Sequence, residues 1–418
     1  MPIPEKTGLL GVGFGPSNLA LAIALAERRM TAVFMEEQPE FGWHLGMLLP
    51  HARMQIPFLK DLVTLRNVKS DFTFLNYLSE RGRLVEFIGL HTLFPSRMEF
   101  HDYLAWAADR VAADVRYGHR VVEISSGEPG FVVRTEPDRV IHAGALVLAT
   151  GLHPVLPDGV VESRRQWHSH RLLDNLAALS PSAPRRFAVV GAGQSAAEVV
   201  AHLHETYPQA EVHAVFARYG YSSADDNPYA NRIFDPSAMD EFYCADTEVR
   251  QRLLDYHRST NYSVVDPELI DDLYSREYAE RVAGDRRLFV HNASEVVAAR
   301  EFPDKVRLTV CHLIDRSRAT VDCDAVIYAT GYEPLDVRSF LGELAGRYEF
   351  DAHGRPAVTR DYRLVARAGA PGDIYLNGAV EHTHGLSSSL LSNVAVRAGE
   401  IVTAVAAREH RRPHVASA

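Results

Sequence analysis

The sequence predicts an α/β protein with two Rossmann-like dinucleotide-binding domains and a smaller, mainly helical region. Three observations predict it. An apolar strand runs through Gly11-Val12-Gly13-Phe14-Gly15 directly into an apolar helix. The same arrangement returns at Arg186–Ala197, where Gly191-Ala192-Gly193 follows Phe187–Val190. Each copy is followed by a strand closing on Ala-Thr-Gly, at 149–151 and 329–331, and both motifs recur at the same offset (191 − 11 = 180 and 329 − 149 = 180). Glycines at such a turn let a pyrophosphate approach the backbone and the free N–H groups of the following helix.

Composition sets outer limits. The chain has 418 residues, 46% hydrophobic and 23% charged, with a net charge of −10. That length allows two or three domains with large cores. The negative balance argues against nucleic acid as a partner, because phosphate binding needs a basic face. No apolar run is long enough to span a bilayer, and Met1–Lys6 lacks the apolar stretch of a signal peptide. Cys244, Cys311 and Cys323 show no CxxC spacing, so a cytoplasmic location with reduced thiols is expected, and no metal site.

In the first turn, Gly11 is read as the tight-turn glycine and Gly13 as the point of phosphate approach. Pro16 suits a first helical turn, since its missing N–H has no partner there. Ser17 follows it, and a second strand at 31–35 ends on Glu36. That acid lies where a dinucleotide fold puts its ribose-binding carboxylate (36 − 11 = 25). The segments 37–44 and 54–62 read as loop over a ligand. Residues 71–80 and 98–113 read as helices, and 120–124 and 131–134 as strands of a small meander.

The second turn, Gly191, Gly193, Gln194 and Ser195, has no acid at the end of its second strand. Arg218 stands there instead (218 − 191 = 27). An arginine suits a 2′-phosphate, so this site is read as NADP-binding. Residues 219–245 form a long insertion without a clear period, and its aromatic content argues against disorder. Helices are expected near 247–259 and 267–282, strands at 287–300 and 304–314, and a final helix from about Ser388 to Ala407. The second domain is read as inserted into the first. Residues 1–160 and 325–418 form one dinucleotide domain, 161–215 and 285–324 the other, and 216–284 the substrate-binding region.

With these residues in place the resemblance is specific. Gly-Val-Gly-Phe-Gly-Pro-Ser-Asn (11–18), Phe-Gly-Trp-His (41–44), Met-Gln-Ile-Pro-Phe-Leu-Lys-Asp-Leu (54–62), Asn-Pro-Tyr-Ala-Asn-Arg-Ile-Phe (227–234), Asn-Tyr-Ser-Val-Val (261–265) and His-Thr-His-Gly-Leu-Ser (382–387) occur in family order. The chain resembles the microbial N-hydroxylating flavin monooxygenases, the ornithine and lysine N-hydroxylases. That resemblance implies FAD in the first domain and NADPH in the second. It implies N-hydroxylation of the side-chain amine of L-ornithine by molecular oxygen through a C4a-hydroperoxyflavin, for a siderophore or related natural product. L-Lysine or a diamine is the alternative substrate, and a non-catalytic nucleotide-binding flavoprotein the alternative class. A dimer or tetramer is expected on the same ground.

The resemblance also implies roles. Lys60 would hold the substrate carboxylate, the competing reading being a surface ion pair with Asp61. Asn231 and Asn261 would fix the amino-acid end, Asn261 also reaching NADP. Gln55 would stand beside the flavin, as would Trp43, His44, Thr330, Gly331 and Leu386. Ser387 and Ser389 would lie near substrate and flavin. The chain departs from the family pattern at Ser388, where many ornithine hydroxylases carry an acid, and at Asp225–Asn231.

Overall fold

The computed structural model describes residues 5–128, 130–179, 184–225, 227–260 and 262–411. Two parallel sheets organise the chain. In the first, the strand Glu5–Val12 lies between Val33–Met35 and Arg139–Leu148, all parallel, with Asp114–Arg116 outside Val33–Met35. Leu9, Leu10, Gly11 and Val12 are all buried, as expected of a strand covered on both faces. On its other edge the strand Arg139–Leu148 serves two further partners. Its first half pairs with the antiparallel meander Arg120–Gly127 and Gly130–Glu136, and its second half with Asp373–Leu376. That last pairing brings the C-terminal part of the chain back onto the first sheet.

The second sheet runs in the order Leu288–His291, Glu211–Val215, Arg186–Val190, Ala325–Tyr328 and Gln166–His168. Ala325–Tyr328 pairs in parallel with Phe187–Val190 and Gln166–His168. The return to the first domain therefore falls after this strand, not at residue 325 as the spacing suggested. The strand Gln166–His168 was not anticipated, because three residues are too few to show a period. Leu152–Pro154 and Tyr332–Pro334 pair antiparallel, so the outgoing and returning connections run side by side.

The long insertion is more regular than its sequence. It holds a 3₁₀ turn, Ala230–Phe234, and a helix, Pro236–Cys244, whose buried Met239 and Phe242 stand three residues apart. The final helix begins at Val394 rather than Ser388, because the extended Leu390 breaks the segment between two 3₁₀ turns, Leu386–Ser389 and Leu391–Asn393, the second of which leads into the helix.

Candidate functional site

In the first nucleotide turn the glycines divide the work differently from the expectation. Gly11 lies inside the strand, and a Cβ there would sit 2.3 Å from the Phe34 ring. The turn belongs to Gly13, with φ +82°, where a Cβ would meet the Ala149 carbonyl oxygen at 2.4 Å. Gly15 caps the helix Pro16–Glu27, and nothing lies within 4 Å of the position its side chain would take. That open face at a helix N-terminus fits an anionic diphosphate. Glu36 accepts the Phe14 N–H at 2.6 Å and the Gln38 N–H at 2.9 Å, which fixes it beside the turn.

The second turn repeats this geometry. Gly191, φ +139°, would place a Cβ 2.3 Å from the Ala329 carbonyl oxygen, and Gly193 caps the helix Gln194–Thr206. Gly13 thus matches Gly191 and Gly15 matches Gly193, an offset of 178 (191 − 13). In both domains the alanine of Ala-Thr-Gly is packed against the turning glycine. Beside the second turn lies a cleft of about 370 Å³ lined by Gly191, Ala192, Phe216, Arg218, Val296 and Tyr328. Arg218 is exposed at its edge and donates to the Ser263 carbonyl at 2.7 Å. Ser195 is half-buried in the first helical turn.

Where the domains meet, Thr330 donates through Oγ1 to the Val155 carbonyl. The Gly331 carbonyl lies 3.0 Å from His168 Nε2. Trp43 and His44 stand edge to face with ring centres 4.7 Å apart, and His44, with φ +53°, faces Tyr332 at 6.4 Å. Burial pushes His168 down to about 4, so it is neutral at physiological pH.

On the substrate side, Lys60 is half-buried and its Nζ lies 6.0 Å from the centre of the Phe234 ring. Asp61 is not its partner. Its buried carboxylate accepts the N–H groups of Val63, Thr64 and Phe74 at 2.6–2.9 Å. Asn231 lies half-buried in the Ala230–Phe234 turn, its N–H donated to the Asn227 carbonyl at 2.9 Å. Asn393 ties that turn to the C-terminal segment, donating to the Phe234 carbonyl at 2.9 Å. In that segment Leu386 and Ser387 are buried, while Ser389 is half-buried and bonds Glu381. Asn261 lies outside the described residues. Its neighbour Tyr262 donates to Glu381, whose carboxyl is raised chiefly by burial. His382 and His384 direct their Nε2 atoms at the Pro356 and Arg360 carbonyls, 2.8 and 3.2 Å away.

Asp266, Glu198, Arg97 and Arg397 were not singled out by the sequence, although two of them bond the expected Gln55 and Gln194. Gln55 donates to Asp266 at 3.1 Å, and Asp266 also takes a bond from Gln194 at 2.9 Å. Gln194 reaches Glu198, which forms a two-bond ion pair with Arg97 from the first domain. Arg397, only 1% exposed, donates to Ser17 Oγ, Asn377 Oδ1 and the Ser388 carbonyl, tying the final helix to the first turn. Asp266, Glu198, Arg97 and Arg397 are each a lone polar residue in an ordinary helix or at its start, and side-chain bonds across distant segments bring them to the site.

Two glycine turns, each between a parallel strand and a helix, with Gln55 of the first domain linked through Asp266 to Gln194 of the second turn, mark an oxidoreductase of the two-dinucleotide flavoprotein class. Within that class the chain belongs to the L-lysine 6-monooxygenase/L-ornithine 5-monooxygenase family, whose model matches residues 5–334. It is 42% identical to an L-ornithine N(5)-monooxygenase of Burkholderia cepacia, over 90% of this chain and 89% of the relative. It superposes on the Kutzneria sp. 744 ornithine N-hydroxylase, solved with reduced FAD, NADP⁺ and L-ornithine, with a TM-score of 0.93. Identity there is 46%, over 97% of this chain and all of the other. The L-lysine 6-monooxygenase of Pseudomonas syringae is more distant, at 32% identity and a TM-score of 0.85, over 96% of this chain and 99% of that one.

Proposed function

We propose that this protein is an FAD- and NADPH-dependent L-ornithine N5-monooxygenase, supplying N5-hydroxyornithine to a siderophore or related natural product. The observation that carries this reading is its likeness along nearly the whole chain to the Kutzneria enzyme, which was solved with that set of ligands. The likeness is greater than to the lysine enzyme, which favours ornithine over lysine.

The chain fits both cofactors. Gly13, Gly15, Pro16 and Ser17 would take the FAD diphosphate at an open helix N-terminus, and Glu36 the ribose. Gly191, Gly193, Gln194 and Ser195 would take the NADPH diphosphate, and Arg218 its 2′-phosphate. Trp43, His44, Gln55, Thr330, Gly331 and Leu386 would border the flavin. When bound, the flavin accepts hydride from NADPH and activates molecular oxygen, and the protein orients the groups and excludes water.

Lys60, with Asn231, Asn261, Ser387 and Ser389, would hold the amino-acid end. The side-chain amine must be neutral to act as a nucleophile, although an alkyl ammonium in water has a pKa of about 10.4. Transfer of the amine out of water into the site lowers that value. A diamine would leave Lys60 facing no carboxylate. A cytoplasmic, dimeric or tetrameric enzyme belongs to the same reading. The three unbridged cysteines support a reducing compartment, and light scattering measures the association.

The test is hydroxylamine formed per NADPH oxidised, with L-ornithine, L-lysine, putrescine and cadaverine. Stoichiometric product from ornithine alone is expected. Product from lysine or a diamine instead overturns the substrate assignment, and no NADPH oxidation by FAD-loaded protein overturns the enzyme.

A further inference from the structure

Gln55, Asp266 and Gln194 come from three separate segments and meet between the first domain's loop and the second nucleotide turn. Gln55 Nε2 donates to Asp266 Oδ1 at 3.1 Å, and Gln194 Nε2 to Asp266 Oδ2 at 2.9 Å. The Asp266 backbone N–H donates to Gln194 Oε1 at 2.9 Å. Gln194 Nε2 also reaches Glu198 Oε1 at 3.0 Å. Asp266 occupies the N-cap of the helix Pro267–Ala283, yet its side chain accepts none of that helix's N–H groups. A residue type favoured for capping has its carboxylate engaged outside its own helix.

Polarity decides what this arrangement does. A carboxylate only accepts hydrogen bonds, whereas an amide has one donating and one accepting end. Both glutamines must therefore turn their NH₂ groups to Asp266. Gln194 is fixed twice over, because its oxygen is committed to a backbone N–H and its two hydrogens to two carboxylates. Gln55 takes its orientation from Asp266, so its carbonyl oxygen is the end turned away.

We infer that Asp266 is a positioning residue that sets which end of the Gln55 amide faces the cofactors. It does so while holding Gln194 at the start of the second nucleotide helix. The group that Gln55 meets is then a hydrogen-bond donor, of the class of a ring N–H or a ribose hydroxyl. This inference rests on the proposed assignment of FAD and NADPH to the two turns and of Gln55 beside the flavin.

Asp266→Asn tests it. The substituted side chain offers one acceptor and one donor. Gln194 cannot reverse, since its oxygen is held by the backbone N–H of residue 266, which the substitution leaves in place. The new amide's oxygen goes to Gln194, its NH₂ faces Gln55, and Gln55 reverses. In FAD-loaded D266N we expect an NADP⁺ Kd, by calorimetry, within about threefold of the wild type. The share of NADPH oxidation lost to peroxide should rise at least about fivefold. D266A, which releases both amides, should also raise the NADP⁺ Kd by about tenfold or more. In a Q55A background, D266N should change the peroxide share no further, since the two residues act as a unit.

Wild-type NADP⁺ affinity in folded D266A, or a D266N effect that persists without Gln55, overturns the inference. If D266A does not fold, D266N and its pairing with Q55A decide. If the wild-type protein makes no hydroxylamine from ornithine, the proposed function fails, while the NADP⁺ titrations still decide the role of Asp266.

Discussion

Replacing Arg97 by methionine removes one half of an ion pair that joins the two dinucleotide domains. Arg97 opens the helix Arg97–Arg110, whose buried Phe100, Tyr103, Leu104 and Ala107 anchor it in the first domain. Glu198 sits on the second nucleotide helix, and the side chains are only 14% and 6% exposed. Two 2.8 Å bonds link them. Taking one partner from a buried pair costs about 3–5 kcal/mol, mostly because the other charge is left uncompensated. Gln194 still donates to Glu198 at 3.0 Å, which puts the expected cost at the lower end, about 3 kcal/mol. For a domain of this size that is a fall in Tm of about 6–12 °C. The assay is calorimetry at fixed FAD and NADP⁺ concentration, since ligand alone moves Tm. The double variant R97M/E198L removes both charges and should recover most of the loss. A single variant within about 2 °C of the wild type, or a double variant no better than R97M, refutes the reasoning.

Lys60→Ala should raise the KM for L-ornithine by about ten- to a hundredfold, the worth of a charge-assisted bond, while NADPH still reduces the flavin. An unchanged KM removes Lys60 from the site. Arg218→Ala should narrow the preference for NADPH over NADH by about tenfold, and a preserved preference refutes the 2′-phosphate assignment. Gly15→Ala meets no atom within 4 Å and should fold without FAD yet bind FAD weakly. Gly191→Ala meets the Ala329 carbonyl oxygen at 2.3 Å and should lose stability outright, so equal melting temperatures for the two cofactor-free variants would refute this division. His44, His168, His213 and His384 are all held down to about 4 by burial, so the folded state keeps them neutral where the unfolded chain takes up protons. Stability should therefore be full above pH 6.5 and fall progressively toward pH 4. Thermal melts that do not change across that range would exclude this linkage.

The two nucleotide turns are legible because strand, glycine turn and helix are contiguous, and each needs residues of a particular shape. The offset between the copies reads as two residues too long in the sequence, since three alternating glycines at 11, 13 and 15 look alike on paper. Only the positive φ of Gly13 and its contact with Ala149 separate the turning glycine from the one that makes room for Phe34. The strand Gln166–His168 is invisible in the sequence because its evidence is a pairing with residues 160 positions away. The helix Pro236–Cys244 is hidden by a short amphipathic stretch with only two buried positions.

Local chemistry written in consecutive residues was determined by the sequence itself: the α/β class, the doubled nucleotide motif, and the resemblance carried by its short motifs. Tertiary structure alone decided what depends on residues far apart in the chain. It closed the Arg97–Glu198 pair, buried Arg397 beside Ser17, and set Asp266 between Gln55 and Gln194 across 211 residues of chain. The physical reason is that a lone aspartate or arginine is compatible with solvent, a cap or a site alike. Only the burial and the partners that folding supplies distinguish among these.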